Sequence, residues 1–168
     1  AIRIFTRSYP KILQRERCES MKVIEASIEQ LDEAADLFGQ YRDFYKLERE
    51  PEKVRQFLKE RLLEKDADIF LVYDGHLCTG FMQLYRCWDS ISMKKLLFLY
   101  DLFVIPSERN KQIGDRLIDR AKQLAGDIGA SMIMLQTHKH NNVYARHFYE
   151  LNGFELDEDF DVYNFMLE

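Results

Sequence analysis

The stretch LLFLYDLFVIPSERNKQIGDRLIDRA, residues 96–121, sets the fold. Its first ten residues are apolar on both faces apart from Asp101, the pattern of a central strand covered on two sides. Pro106 removes a ladder donor and ends that strand. Leu117, Ile118, Ala121, Leu124, Ala125 and Ile128 then recur at helical spacing, and Gly129 fits just past the helix end. SMIMLQT, residues 131–137, is a second buried strand. Strand, helix and strand in this order imply a right-handed crossover and parallel pairing.

Between strand and helix lies ERNKQIGD, residues 108–115. A helix start presents backbone N–H groups with no partner inside the helix, and the positive end of its dipole. Such a turn can bind a diphosphate. Gly114 would let the backbone approach a ligand, with Arg109 and Lys111 adding charge. The spacing is not GxxxxGK[ST], so nucleotide hydrolysis has no support. Read alone, the loop is an ordinary solvated basic turn.

Upstream, Val23 and Ile24 open a short strand and Ser27 can cap a helix. Ile28, Leu31, Ala34, Ala35, Phe38 and Tyr41 form one apolar face of that helix. Pro51 suits the first turn of a second helix that buries Val54, Phe57, Leu58 and Leu62. ADIFLVY reads as a buried strand, Asp74-Gly75 as a hairpin turn, and HLCTGFMQLYR as the returning strand. Downstream, a short helix from about Asn142 to Leu151 is closed by Asn152-Gly153, and DVYNFML, residues 161–167, alternates like a final strand. Together these segments predict a mixed sheet with helices on both faces.

The chain of 168 residues suits one core. Residues 21–168 read as the domain. Residues 1–20 stand apart, with Arg3, Arg7, Lys11, Arg15 and Arg17 against Glu16 and Glu19, and read as an upstream extension or a genuine arm. A net charge of −5 disfavours a general nucleic-acid binder. No apolar run approaches the length of a membrane span. Cys18, Cys78 and Cys87 are odd in number and lack CxxC spacing, which points away from disulfides or zinc and toward a reducing cytoplasm. No metal ligand set is expected. His138 and His140 read as solvated loop histidines, and Cys78 and Cys87 as small apolar sheet residues. No GxSxG elbow is present.

Residues 100–121 resemble the signature segment of the GNAT N-acyltransferases, whose pattern is Arg/Gln-x-x-Gly-x-Gly/Ala. Here it is Arg109-Asn110-Lys111-Gln112-Ile113-Gly114, with Gln112 in place of the first glycine. That replacement suits a negative φ. NVYARHFYELNGF, residues 142–154, is similar to the family's second pattern, with Asn142, Ala145, Tyr149, Gly153 and Phe154 in register. The resemblance implies a mixed, mostly antiparallel twisted sheet of six to seven strands, flanked by about four helices and splayed between its fourth and fifth strands. It implies transfer of an acetyl group from acetyl-CoA to an amine by direct attack. A small-molecule amine is the first expectation. The alternatives are a protein or peptide N-acetyltransferase and a non-catalytic CoA-binding module. Homodimers are common in the family.

The same resemblance places roles. Leu102, Phe103 and Val104 would offer backbone groups to the pantetheine arm and the thioester oxygen. Asn110, Lys111, Gln112, Ile113, Gly114 and Asp115, with Arg109, would surround the pyrophosphate, and Asn142 and Ala145 would flank the cofactor arm. Tyr149 stands at the position of the general acid, against the plainer reading of a core tyrosine. From the strand itself, Asp101 is the candidate base, because burial among apolar residues raises a carboxyl pKa, beside the nearly equal reading of an aspartate paired with a cation or a backbone donor. Strand alternation leaves open whether it faces the amine, since some relatives carry their carboxylate where Tyr100 stands. Tyr41, Phe44 and Tyr45 could wall an acceptor pocket, with Asp43 and Glu48 drawing a cation. An ordinary core stripe with solvated acids is the favoured reading of them. Trp88 is read as a pocket-side loop residue on similar grounds.

Overall fold

The computed structural model describes residues 21–138 and 143–167. They fall into two compact units, one reaching Leu135 and one beginning at Gln136. The 1–20 extension lies outside the described residues.

The first unit begins with β1 (Met21–Glu25). Ser27 then forms a capping box: its Oγ accepts the Glu29 N–H at 3.2 Å, and its own N–H donates to Gln30 Oε1 at 3.0 Å. These bonds satisfy donors that the following turn leaves unpaired. A single 3-10 turn leads into α1 (Leu31–Phe44), which buries Leu31, Ala34 and Leu37. Leu37 is nearly fully buried while Ile28 is exposed, so the helix face is rotated slightly from the expected one. Pro51 opens α2 (Pro51–Glu64), which buries Val54 and Leu58 and packs on α1.

β2 (Asp68–Asp74) and β3 (Leu77–Asp89) pair antiparallel around the two residues Gly75 and His76. Gly75 has φ +61°, as the first position of such a tight turn requires. β3 pairs antiparallel with β4 (Lys94–Val104). α3 (Ile113–Ile128) then crosses to β5 (Ala130–Leu135), which runs parallel to β4. Gly129, at φ +69°, ends α3 by donating to the Ala125 and Gly126 carbonyls. The sheet order is β1-β2-β3-β4-β5.

Alternation along the strands sorts the core. Ile69, Leu71, Phe81 and Phe103 face α1 and α2 and join Leu31, Leu37, Val54 and Leu58. Phe70 faces the other helix, where the Arg120 guanidinium lies 4.6 Å from its ring centroid. Ile113, Leu117, Ile118 and Ala121 form the buried stripe of α3. In the second unit, α4 (Val143–Leu151) is the described helix. The four helices agree with expectation, but the described sheet has five strands rather than six or seven. Residues 161–167 alternate correctly yet form no strand, because a strand exists only where its backbone groups find a ladder partner.

Gly80 sits where the backbone leaves no room for a side chain. A Cβ there would lie 2.8 Å from the Phe103 carbonyl oxygen, with Val104 and Ile113 side chains also close. The obstacle is backbone and cannot turn aside. Gly80→Ala is expected to lower stability by about 1–3 kcal/mol through overpacking, measured as a lower urea midpoint with an unchanged slope.

Candidate active site

β4 is paired on both sides only over part of its length. Its ladder with β5 runs from Lys95↔Ala130 to Leu99↔Leu135 and stops there, whereas β4 continues to Val104. From Tyr100 onward, among the described residues, β3 alone pairs with it. Strand geometry decides which backbone groups this leaves at the open edge. The Ile105 N–H donates to the Thr79 carbonyl at 3.0 Å, so Ile105 points toward β3. Residues two apart point the same way, so Phe103 also turns its N–H and C=O to β3. Leu102 and Val104 direct theirs to the side β5 has left. Of the three backbone candidates, Leu102 and Val104 therefore face the opening and Phe103 does not. The Val104 carbonyl receives the Arg109 Nε–H at 3.1 Å.

The chain then passes through a 3-10 turn (Pro106–Glu108) and a loop into α3. Asn110 and Gln112 have φ of 61° and 63°. Gln112 therefore does not have the negative φ at which a glutamine is tolerated: it occupies the left-handed region that a glycine would enter without strain. Its side chain makes no capping bond, so Ile113, Gly114 and Asp115 begin α3 with their N–H groups uncapped by it. The two expected phosphate cations are otherwise engaged. Lys111 Nζ bonds the Glu108 carboxylate at 2.7 Å, with both side chains largely covered. The Arg109 guanidinium folds back to 5.1 Å from the Phe44 ring centroid and 5.9 Å from that of Phe103.

On the face toward α1, a β-bulge reshapes β4. Asp101 pairs with Gln83 and Leu99 with the next residue, Leu84, so Tyr100 is an extra residue without its own partner. A bulge suspends strict alternation. The Tyr100 ring lies 5.7 Å from Tyr85 and 5.6 Å from Phe98, while Asp101 stands opposite Gln83, two residues from Tyr85 on the same face. Tyr100 and Asp101 thus share the α1 side of the sheet. Asp101 is 8% exposed. Burial pushes its carboxyl above the ordinary range, and a hydrogen bond from the Tyr41 hydroxyl partly offsets this. Burial and then the nearby Asp101 charge push the Tyr41 phenol strongly up, so it remains a donor.

Tyr41 sits inside an aromatic group. Its ring centroid lies 5.0 Å from Tyr45, 5.6 Å from Phe81 and 5.7 Å from Phe103. Phe44 and Tyr45, at the end of α1, are exposed. Asp43 is no open lure for a cation: its carboxylate pairs with Arg49, whose Nε lies at 2.7 Å. Trp88 is corrected from loop to strand, near the β3–β4 turn, with Lys95 Nζ 5.7 Å from its ring centroid. Cys87 is exposed rather than packed, while half-buried Cys78 has its thiol pushed up to about 11, mainly by burial. Such a thiol is a poor nucleophile at neutral pH. No group of three metal-binding side chains occurs among the described residues. His138 is described after β5; His140 lies outside.

The second unit gives a physical reason for its motif. Gly153 has φ +81° at the end of α4. The turn it makes returns the Phe154 N–H to the Tyr149 carbonyl at 3.0 Å. The Phe154 ring then meets Tyr149 at 5.7 Å, and Phe148 meets it at 5.2 Å. Tyr149 is therefore flanked by the ring of its helix neighbour Phe148 and by Phe154, which the terminating turn brings back. Ala145, one turn earlier, shares its face. Asn142 lies outside the described residues.

A sequence model of the Acetyltransferase (GNAT) family matches residues 31–154. The chain belongs to this family. Over 143 residues it is 40% identical to an uncharacterized N-acetyltransferase, YhfO, of Bacillus subtilis (strain 168), covering 85% of this chain and 95% of the relative. A crystal structure of a probable acetyltransferase superposes with a TM-score of 0.80 at 34% identity, covering 88% of this chain and 98% of the other. An aminoglycoside acetyltransferase from an uncultured soil metagenomic sample, solved with sisomicin, shares the fold with a TM-score of 0.77 at 18% identity, over 90% of this chain and 99% of its own. The GNAT chain is accordingly an acyl-CoA-dependent N-acyltransferase.

In this GNAT chain, the sequence singled out Asp101 and the signature loop as candidates, but not Gln83, Tyr85 or the bond from Tyr41 to Asp101. The only available signal was a glutamine at an inward position of β3. Gln112→Gly is expected to raise stability by about 0.5–1 kcal/mol by removing left-handed strain, less the entropy glycine loses on folding. Gln112→Val is expected to lower it. Denaturant unfolding of the two variants checks both.

Proposed function

We propose that this acyltransferase acetylates a primary amine of a small molecule by direct attack on acetyl-CoA. The observation that carries the reading is the end of the β4–β5 ladder at Leu99, beside a buried carboxylate. It turns the Leu102 and Val104 amide groups to an open edge. GNAT acetyltransferases use acetyl-CoA as cosubstrate. In the proposal, the N–H groups that open α3 hold the pyrophosphate, and an amide of Leu102 or Val104 holds the thioester oxygen. As the amine nitrogen attacks the carbonyl carbon, that oxygen gains charge. A fixed N–H donor stabilises it by about 3–4 kcal/mol in other acyl transfers.

Two proton movements complete the reaction. Asp101 takes the proton that the amine sheds as its nitrogen becomes an amide. Tyr149 gives one to the departing thiolate. No covalent enzyme intermediate is needed. The exposed rings of Phe44, Tyr45 and Tyr100, placed around the Tyr41–Asp101 pair, support a compact acceptor with a cationic head.

Calorimetry with CoA and acetyl-CoA, followed by free-thiol release over aminoglycosides, polyamines, amino acids and peptides, tests the proposal. Small amines should release thiol and peptides should not. Release with peptides alone would overturn the small-molecule reading, and no heat with either cofactor form would overturn the site.

Asp101→Asn should lower kcat/KM on the order of a hundredfold or more, with acetyl-CoA affinity unchanged. Because burial raises the folded-state pKa of Asp101, the protonated form favours folding. Its stabilising share is complete at low pH and is lost as pH rises through the raised value. Asp101→Asn should therefore be more stable than wild type at neutral pH, with the difference shrinking on acidification. Tyr149→Phe should lower kcat while leaving acetyl-CoA binding in place.

A further inference from the structure

Among the described residues four polar side chains are buried in the sheet, and three have their partners. Thr79 Oγ1 donates to the Val72 carbonyl, Asp68 is held bidentately by Arg86, and Asp101 accepts from Tyr41. Gln83 is the fourth and is fully buried. Its Nε2 donates to the Tyr85 hydroxyl, but its Oε1 has no partner. A buried acceptor without a donor forfeits its hydration with nothing in return, so an orphan of this kind calls for a cause.

Its position supplies one. Gln83 is the direct cross-strand partner of Asp101, and both face α1. Side chains so placed have Cβ atoms about 4.5–5.5 Å apart. Both groups are acceptors while Asp101 is ionised. A proton on the Asp101 carboxyl turns it into a donor, and the amide oxygen opposite is then an acceptor for it.

We propose that Gln83 is a positioning residue for Asp101: its Oε1 receives the hydrogen bond of the Asp101 carboxyl when that carboxyl carries a proton. The inference rests on the reading of Asp101 as the base. The amine's proton moves to a carboxylate oxygen, and the new O–H bonds to Oε1. The Tyr41 hydroxyl serves the other oxygen. Gln83 thus steadies the state that forms after proton transfer, while Tyr41 steadies the state before it. The ionisable groups around the pair are Tyr41 from α1 with Tyr45 bonded to it, Tyr85 from β3 and Tyr100 from β4. Arg61 on α2 and Asp66 beyond it act on Tyr85.

The test is a pH titration followed by the 13Cγ resonance of Asp101 in the full chain, assigned by its absence in Asp101→Asn. The wild-type midpoint should lie above the ordinary value of about 3.9. Gln83→Met, which keeps length and removes the acceptor, should lower it by about one pH unit or more. Tyr41→Phe should move it the opposite way. In wild type the Gln83 13Cδ resonance should titrate with the Asp101 midpoint, which decides the matter even if Gln83→Met fails to fold. An unmoved or raised midpoint in Gln83→Met, or a Gln83 resonance indifferent to Asp101, overturns the proposal. Calorimetry with CoA on the same samples separates the two readings: absent binding sinks the acyltransferase site, whatever the titration shows.

Discussion

The ladder of β4 fails on both sides at one place, and the site follows from that failure. On one side pairing with β5 ends at Leu99, and on the other Tyr100 is squeezed out of register against β3. Each event alone would do less. A continued parallel ladder would consume the Leu102 and Val104 amides, and unbroken alternation would send Tyr100 and Asp101 to opposite faces. Together they place outward-turned backbone donors and a buried carboxylate within a few residues of one strand.

The packing behind the strand keeps this irregular segment in place. Phe103 and Phe81 lock β4 and β3 against Tyr41 and Phe38 of α1, and the missing side chain of Gly80 lets the strands close together. Arg109 spans from the end of β4 to Phe44, tying the signature loop to the end of α1. Loop and aromatic wall therefore share one anchor.

Much of the fold was legible because local rules decide it. Apolar residues on both faces marked β4, a stripe at helical spacing marked α3, and Gly75 and Gly129 marked turns that need positive φ. Features set by distant partners were not legible. The bulge at Tyr100 depends on how β3 and β4 slide past each other, which neither sequence states alone. Asp43 and Lys111 looked available for ligands, yet Arg49 and Glu108 claim them. Gln112 looked like an ordinary residue with negative φ, although the turn imposes the opposite sign. Residues 161–167 show the converse limit, since alternation marks a capacity to pair and not a pairing. The motif around Tyr149 was readable as a pattern, but its reason emerged only from the turn that brings Phe154 back onto the ring.

The occupied side chain of Lys111 has a consequence for how this protein would hold its cosubstrate. The lysine is neutralised by Glu108, and Arg109, though still charged, has its guanidinium laid on aromatic rings rather than projecting into solvent. A diphosphate seated at the start of α3 would be gripped chiefly by peptide dipoles, which act at contact range. Dissolved ions weaken forces between separated exposed charges far more than such short contacts. Affinity for the nucleotide end should accordingly fall less steeply with added salt than at a site built on protruding lysines.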